Sequence, residues 1–262
     1  MKENIFTIWF GGDMDMTRIN SLHHLEEISE CSIELITESN IDTYILTDHP
    51  LHDGFRYLSS VHKSDYLRCY LMNFYGGGYS DVKKTTGSWK RAFNQLRKND
   101  ELYGVGCICR RGHMACDYNW NQSEKNNYYS TYENKLMASA HMICKPNTKF
   151  TREWYSLMIK KMDTHLDELI KHPARSARES KDGYPSPRWE IIGDPSQYPI
   201  RWGELLGEIY FPLQVKYFEK INTSLPEFRT IPTYPYCAAP ATTPATYSSM
   251  SNGIINFISK YL

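Results

Sequence analysis

The stretch His62 to Lys84, HKSDYLRCYLMNFYGGGYSDVKK, constrains this chain more than any other. Ser64 to Tyr75 reads as an amphipathic helix, because Leu67, Tyr70, Leu71 and Phe74 recur at spacings of three and four. Ser64 is placed to cap it, Asp65 to complement the positive end of its dipole, and Gly76 to end it. Three successive glycines do not continue a helix, so Gly76 to Gly78 predicts a tight turn into a strand end at Tyr79 to Val82.

The start of the chain supplies the rest of a βαβ pattern. Ile5 to Phe10 is apolar, β-rich and ended by Gly11 and Gly12, as in a buried parallel strand. Thr17 to Cys31 carries Ile19, Leu22, Leu25 and Ile28 every third residue, which predicts a helix with Thr17 as its cap. Ser32 to Ile36 and Thr43 to Thr47 read as short strands. Further on, Ser88 to Lys98 predicts a helix, Leu102 to Cys109 a strand, Trp154 to Ile170 a long helix, and Glu204 to Ile221 a helix broken or kinked at Pro212. Arg110 to Glu133 shows no period, and Pro226 to Ser251 is rich in Pro, Thr and Tyr and predicts irregular chain. Lys171 to Pro199 is too long for a plain connector and reads as a functional loop or lid.

Composition excludes several function classes. Thirty Lys and Arg balance thirty Asp and Glu, which argues against bulk nucleic-acid binding. No window approaches the length of a membrane span. MKENIFTIWFGG lacks the long apolar region of a signal peptide, so the seven irregularly placed cysteines are expected as reduced thiols in a cytosol. Aromatic residues make up 14% of the chain, which suits ligands with flat or sugar-like faces and equally suits an ordinary core.

Three features sit on the βα framework. Trp9 ends the first strand, where open α/β sheets bind ligands, and offers a stacking face for a base; the simpler reading is a core indole. Asp65 and Arg68, three apart on one helix face, are either ligand-binding groups or a surface ion pair of small value. Asp81 follows the glycine turn and can hold a divalent cation that neutralises a diphosphate. Lys83 and Lys84 beside it could grip phosphate oxygens directly, or all three could form a solvated turn.

The 62–85 stretch resembles the core of GT-A-fold glycosyltransferases, a group that includes the yeast initiating mannosyltransferase, bacterial capsular-polysaccharide and lipopolysaccharide sugar transferases, and the glucosylating domain of large clostridial toxins. There a helix bearing (S/A)-D-x-x-R leads to Y-G-G-x-Y-x-D-x-D, and FTIWFGG is similar to their first strand. The match is dense over residues 5–12 and 62–85 and weaker over 134–170. The resemblance implies a Rossmann-like α/β fold: a mixed, mostly parallel sheet flanked by helices. It implies a single domain, with a nucleotide-binding core over residues 1–110 and an acceptor-side part with an irregular extension over 111–262. It implies catalytic roles for Asp65, Arg68 and Asp81, donor-binding roles for Trp9, Gly77, Gly78, Tyr79, Lys83 and Asn134, and a metal, Mn2+ or Mg2+, on Asp81. The sequence departs from the family at the second Asp, where Lys83 stands. That leaves two readings, a weakened metal site, which we favour at this level, or a diphosphate neutralised by Lys83 or Lys84.

The implied activity is retaining transfer of a hexose from a nucleotide-sugar, UDP-linked for preference. The acceptor would be a glycan or lipid-linked glycan in surface polysaccharide or lipooligosaccharide assembly, in the cytoplasm or at the inner membrane face, with at most peripheral membrane association. The rivals are a non-catalytic nucleotide-sugar or glycan binding module and, less favoured, a toxin-like effector. Cys107, Cys109, His113 and Cys116 could hold zinc, although the spacing is not that of a finger and two cysteines two apart on a strand face the same way. His141 reads as a core histidine, Arg110-Arg111 and Lys160-Lys161 as solvated faces, and Arg175 to Arg188 as a basic lid. Glu204 and Trp202 are placed near a metal and the diphosphate by order along the chain alone.

Overall fold

The computed structural model describes residues 1–109, 132, 134–182 and 196–229. A six-stranded sheet in the order β2-β1-β3-β6-β5-β7 organises them. Its strands are β1 (Asn4–Ile8), β2 (Ser32–Ile36), β3 (Gly77–Ser80), β5 (Gly104–Ile108), β6 (Met137–Cys144) and β7 (Ile221–Asn222). β1 runs parallel to β2 and β3, β7 runs parallel to β5, and β6 is antiparallel to both of its neighbours. A two-stranded ribbon pairs β4 (Lys84–Thr85) with β8 (Phe228–Arg229). The helices are α1 (Met16–Ser29), α2 (Ser60–Phe74), α3 (Lys90–Lys98), α4 (Lys149–Lys171) and α5 (Gly207–Lys216), which contains Pro212. This is the mixed, mostly parallel α/β architecture expected, with β6 inside the sheet and β7 at its edge. Among the described residues no helix is long and apolar enough to cross a membrane.

The most telling element is α2. Its expected stripe is only part of the truth: His62 and all of Asp65 to Asn73 are buried. Tyr66, Leu67, Tyr70 and Leu71 are at most 1% exposed, each worth about 1.5–3 kcal/mol on burial. A helix enclosed this fully has partners all round; α2 packs on β1, β3 and β6, and α4 lies against it. It also begins a turn earlier than expected. Ser59, not Ser64, is its cap and accepts from the His62 backbone N–H. His62 can sit inside because its Nδ1 lies 2.8 Å from the Tyr198 hydroxyl and 3.1 Å from Ser59 Oγ, while Nε2 lies 3.1 Å from the Arg201 carbonyl. Asp65 and Arg68 therefore stand in mid-helix, not in the first turn.

The glycine turn works by close approach. Gly76 has φ +63°, and a Cβ there would run into the Pro146 ring. At Gly78 a Cβ would come within 3.1 Å of the Trp89 ring and the Asn4 carbonyl. Other differences from the sequence reading are local. α1 is capped by Asp15 rather than Thr17. Thr43 to Thr47 is not a strand: Ile41–Tyr44 forms a 3-10 turn, and the Tyr70 hydroxyl accepts from the Leu46 N–H.

Candidate active site

The order β2-β1-β3 means that the chain leaves β1 for one side, then crosses back to the other. Such a reversal opens a crevice at the carboxyl ends of the two parallel strands. With Phe6 opposite Tyr79, the residues that emerge at that edge are Trp9 from β1 and Asp81 from β3. Neighbouring elements close in on the same edge. Arg18 of α1 donates through Nη1 to the Val82 carbonyl at 3.1 Å. Gly11, after Trp9, lies over the start of α2, where a Cβ would be 3.5 Å from Ser60 Oγ. Trp9 is half-buried, and its Nε1–H donates to the Gly12 carbonyl at 2.7 Å.

At the centre of the edge is Arg68. It reaches from α2 to β3 and β6 and is 5% exposed. Nη1 donates to the Ser139 carbonyl at 2.8 Å, and Nη2 donates to the Tyr79 hydroxyl at 2.9 Å and to Asp81 Oδ1 at 3.1 Å. Its guanidinium carbon stands 4.3 Å above the Tyr79 ring. Nε–H has no hydrogen-bond partner among the described residues. The Tyr79 hydroxyl donates to Asp81 Oδ1 at 3.1 Å, and Lys83 Nζ lies 3.1 Å from Asp81 Oδ2. On the other flank Asp65 Oδ1 is 3.6 Å from Arg68 Nη2. The pair is thus buried in the interior, not the surface ion pair that was the simpler alternative.

The two carboxyls are tuned in opposite directions. Burial raises Asp65, Arg68 counters only in part, Asp81 adds to the rise, and the group reaches about 7. Burial would raise Asp81 too, but Lys83 and Arg68 outweigh it and hold the carboxyl at about 2. Burial opposes the charge of Arg68, yet Tyr79, Asp81 and Asp65 together push its pKa above the usual value.

The remaining predicted residues are placed differently. Gly77 and Gly78 are buried inside β3, where a Cβ would meet Asn4, Ile5 and Trp89. They let the strand pack closely on its own protein. Tyr79 is 1% exposed and acts beneath the site, as a support for Arg68 and Asp81. Asn134 lines a cavity of about 260 Å³ with Phe218, Glu219 and Ile221 to Thr223, a cavity to which Trp9, Asp65, Arg68 and Asp81 do not contribute. Cys107 and Cys109 are buried free thiols pushed up to about 12 by burial, as core residues are; His113 and Cys116 lie outside the described residues. His141 is fully buried between the rings of Trp89 and Phe228. Sequence reasoning missed Ser139, whose role is a backbone carbonyl, and Phe228, whose ring lies 4.4 Å from Lys83 Nζ.

A divalent cation does not fit these residues. Mg2+ or Ca2+ takes six or more oxygens. Both Asp81 oxygens are already engaged, Oδ1 by Arg68 and Tyr79 and Oδ2 by Lys83, so an ammonium stands where a cation would bind. Among the described residues no cluster of three or more His, Cys, Asp or Glu could hold a metal.

The solved structures include the PaToxG glycosyltransferase, at 12% identity and a TM-score of 0.36, covering 88% of this chain and 81% of that one. No curated protein matches the chain. A family described as capsular polysaccharide synthesis protein matches residues 1–105, the segment that carries β1, α2, β3 and the Arg68 cluster. Over that segment the chain is similar to capsular polysaccharide synthesis proteins.

Proposed function

We propose that the protein is a glycosyltransferase that takes a hexose from a nucleoside-diphosphate sugar, UDP-linked for preference, to a glycan or lipid-linked glycan acceptor in surface polysaccharide assembly. One observation carries the reading: Asp65, Arg68, Asp81 and Lys83 converge at the carboxyl edge where β1 and β3 diverge. The family match over residues 1–105 supports the polysaccharide context.

In this reading Trp9 offers its ring to the base. Asp65, nearly buried and with its carboxyl at about 7, meets a donor-sugar hydroxyl as donor or acceptor. Arg68 and Lys83 face the diphosphate. The bond from the anomeric carbon to the diphosphate oxygen breaks, with its electron pair going to that oxygen. The acceptor hydroxyl oxygen forms the new bond from the same face, and its proton passes to the departing diphosphate. The configuration is retained, and the protein supplies orientation and charge rather than a strong base.

The test is thermal stability against a panel of UDP-, GDP- and CMP-sugars, followed by donor hydrolysis in the wild type and Asp65→Asn. A nucleotide-specific rise in melting temperature and hydrolysis that the variant loses are expected. A second reading, a non-catalytic nucleotide-sugar binding module, draws on Lys83 in the place of an acidic residue. It predicts the same thermal shift with background hydrolysis in both proteins.

A further inference from the structure

The disagreement between the donor set of Asp81 and a metal leads beyond this reading, while resting on it. We propose that Lys83 supplies the positive charge that a divalent cation would otherwise bring to the donor diphosphate, and that Asp81 occupies that charge as an internal anion in the free protein.

Lys83 is held firmly in place. Its side chain is 12% exposed, against 30% for Asp81, so the ammonium is fixed behind the carboxylate rather than waving in solvent. The Phe228 ring of β8 backs it at 4.4 Å, and the pairing of β4 with β8 sets that ring beside the lysine. The Lys83 backbone N–H also donates to the Asp81 carbonyl at 2.6 Å, so the two residues are locked in one tight turn. An ammonium has three donors, and among the described residues Asp81 is its single carboxylate contact.

A second observation points to an anion. Arg68 is 5% exposed, and its Nε–H has no partner among the described residues. A buried donor left idle costs free energy unless something fills it. Two cations, Lys83 and Arg68, therefore flank one partly exposed carboxylate, and one of them keeps an unused donor. An arriving diphosphate competes with Asp81 for both cations. A metal arriving at the same place would instead have to displace Lys83 from Oδ2 and Arg68 from Oδ1.

The two mechanisms predict opposite signs for one substitution. If Asp81 is a metal ligand, its loss removes nucleotide binding. If Asp81 is an internal competitor, its loss frees both cations. The experiment is calorimetric titration of UDP and GDP into the wild type, Asp81→Asn, Lys83→Met and Lys83→Arg. Each is run with EDTA and again with MnCl2, and each variant is checked by circular dichroism for a native melting transition. The wild type is expected to bind equally in both buffers. Asp81→Asn should bind at least about 3-fold more tightly, Lys83→Met at least about 10-fold more weakly with no rescue by Mn2+, and Lys83→Arg should keep most of the affinity. Wild-type binding that requires Mn2+, or an Asp81→Asn variant that binds no better than the wild type, overturns the proposal while leaving the glycosyltransferase reading in place. Absence of binding to either nucleotide in both buffers removes that reading as well.

Discussion

Two ion clusters in this protein look alike on paper and differ in what they leave undone. One surrounds Arg68 at the end of β3. The other surrounds Glu204, where the chain enters α5 and meets α4. Glu204 is 6% exposed, about as buried as Asp65, yet it is saturated. His165 Nε2 lies 2.8 Å from its Oε1, the Arg201 backbone N–H donates to Oε2 at 3.1 Å, and Lys161 Nζ stands 3.4 Å away. Burial pushes the Glu204 carboxyl up, but His165, the Arg201 N–H and Lys161 hold it well below the usual carboxylate range. Among the described residues Asp65 has one ionic contact, at 3.6 Å, and is pushed up to about 7 instead. A fully partnered buried carboxylate is structural glue between two helices. A buried carboxyl with few partners and a raised pKa has the kind of environment in which binding and catalytic groups cluster.

The contrast can be broken most violently at Arg68. Arg68→Met takes from Asp65 its guanidinium partner and from Asp81 one of its two cations, and removes the fork that joins α2 to β3 and β6. Transfer should fall by about 10²-fold or more, and the melting temperature should drop, since removing one partner of a buried pair costs about 3–5 kcal/mol. Donor-transfer kinetics and thermal melts check both. Next comes Glu204→Gln, which should destabilise by about 1–3 kcal/mol in denaturant unfolding while the affinity for UDP is unchanged. A large loss of affinity would merge the two clusters into one site.

Acid and base then separate the clusters by sign. Because the Glu204 carboxyl is depressed in the folded state, its stabilisation is present above the ordinary carboxylate range and lost as pH falls through its lowered pKa. Asp65 behaves oppositely. Its pKa rises from 3.8 to about 7, so folding takes up a proton, and its contribution to stability declines as pH climbs through that interval. Asp65→Asn should therefore gain stability at pH 8 on the order of 1 kcal/mol relative to the wild type and lose transfer activity. Equal stability of the two at pH 8 would mean that the buried carboxyl costs nothing. The smallest effect is expected at Lys160, an exposed residue of α4, where Lys160→Ala should stay within about 0.5 kcal/mol in the same unfolding assay.

The sequence made parts of this legible for physical reasons. β1, α1, β2 and α2 declare themselves through local period, and Asp65, Arg68 and Asp81 through their spacing around the glycine turn. β6 was invisible as a strand because MASAHMIC lies inside the sheet with both faces covered, so nothing alternates. The true start of α2 was hidden by His62, a polar residue buried only because Tyr198 and Arg201 reach it from far along the chain. The same distance hid the anchor of Arg68 on the Ser139 carbonyl and the ring of Phe228 behind Lys83. What the glycines make room for, Pro146, Asn4 and Trp89, was likewise hidden, because those groups lie on other elements. Spacing reveals which groups can meet, and long-range packing decides whether they are satisfied when they do.

The most direct measurement is a structure of the protein with UDP bound. The uracil should lie on the Trp9 ring, and the diphosphate should stand within hydrogen-bond distance of Arg68 and Lys83 at the edge shared by β1 and β3. A nucleotide found elsewhere, for instance in the cavity beside Asn134, with the Arg68 cluster unchanged, would contradict the account.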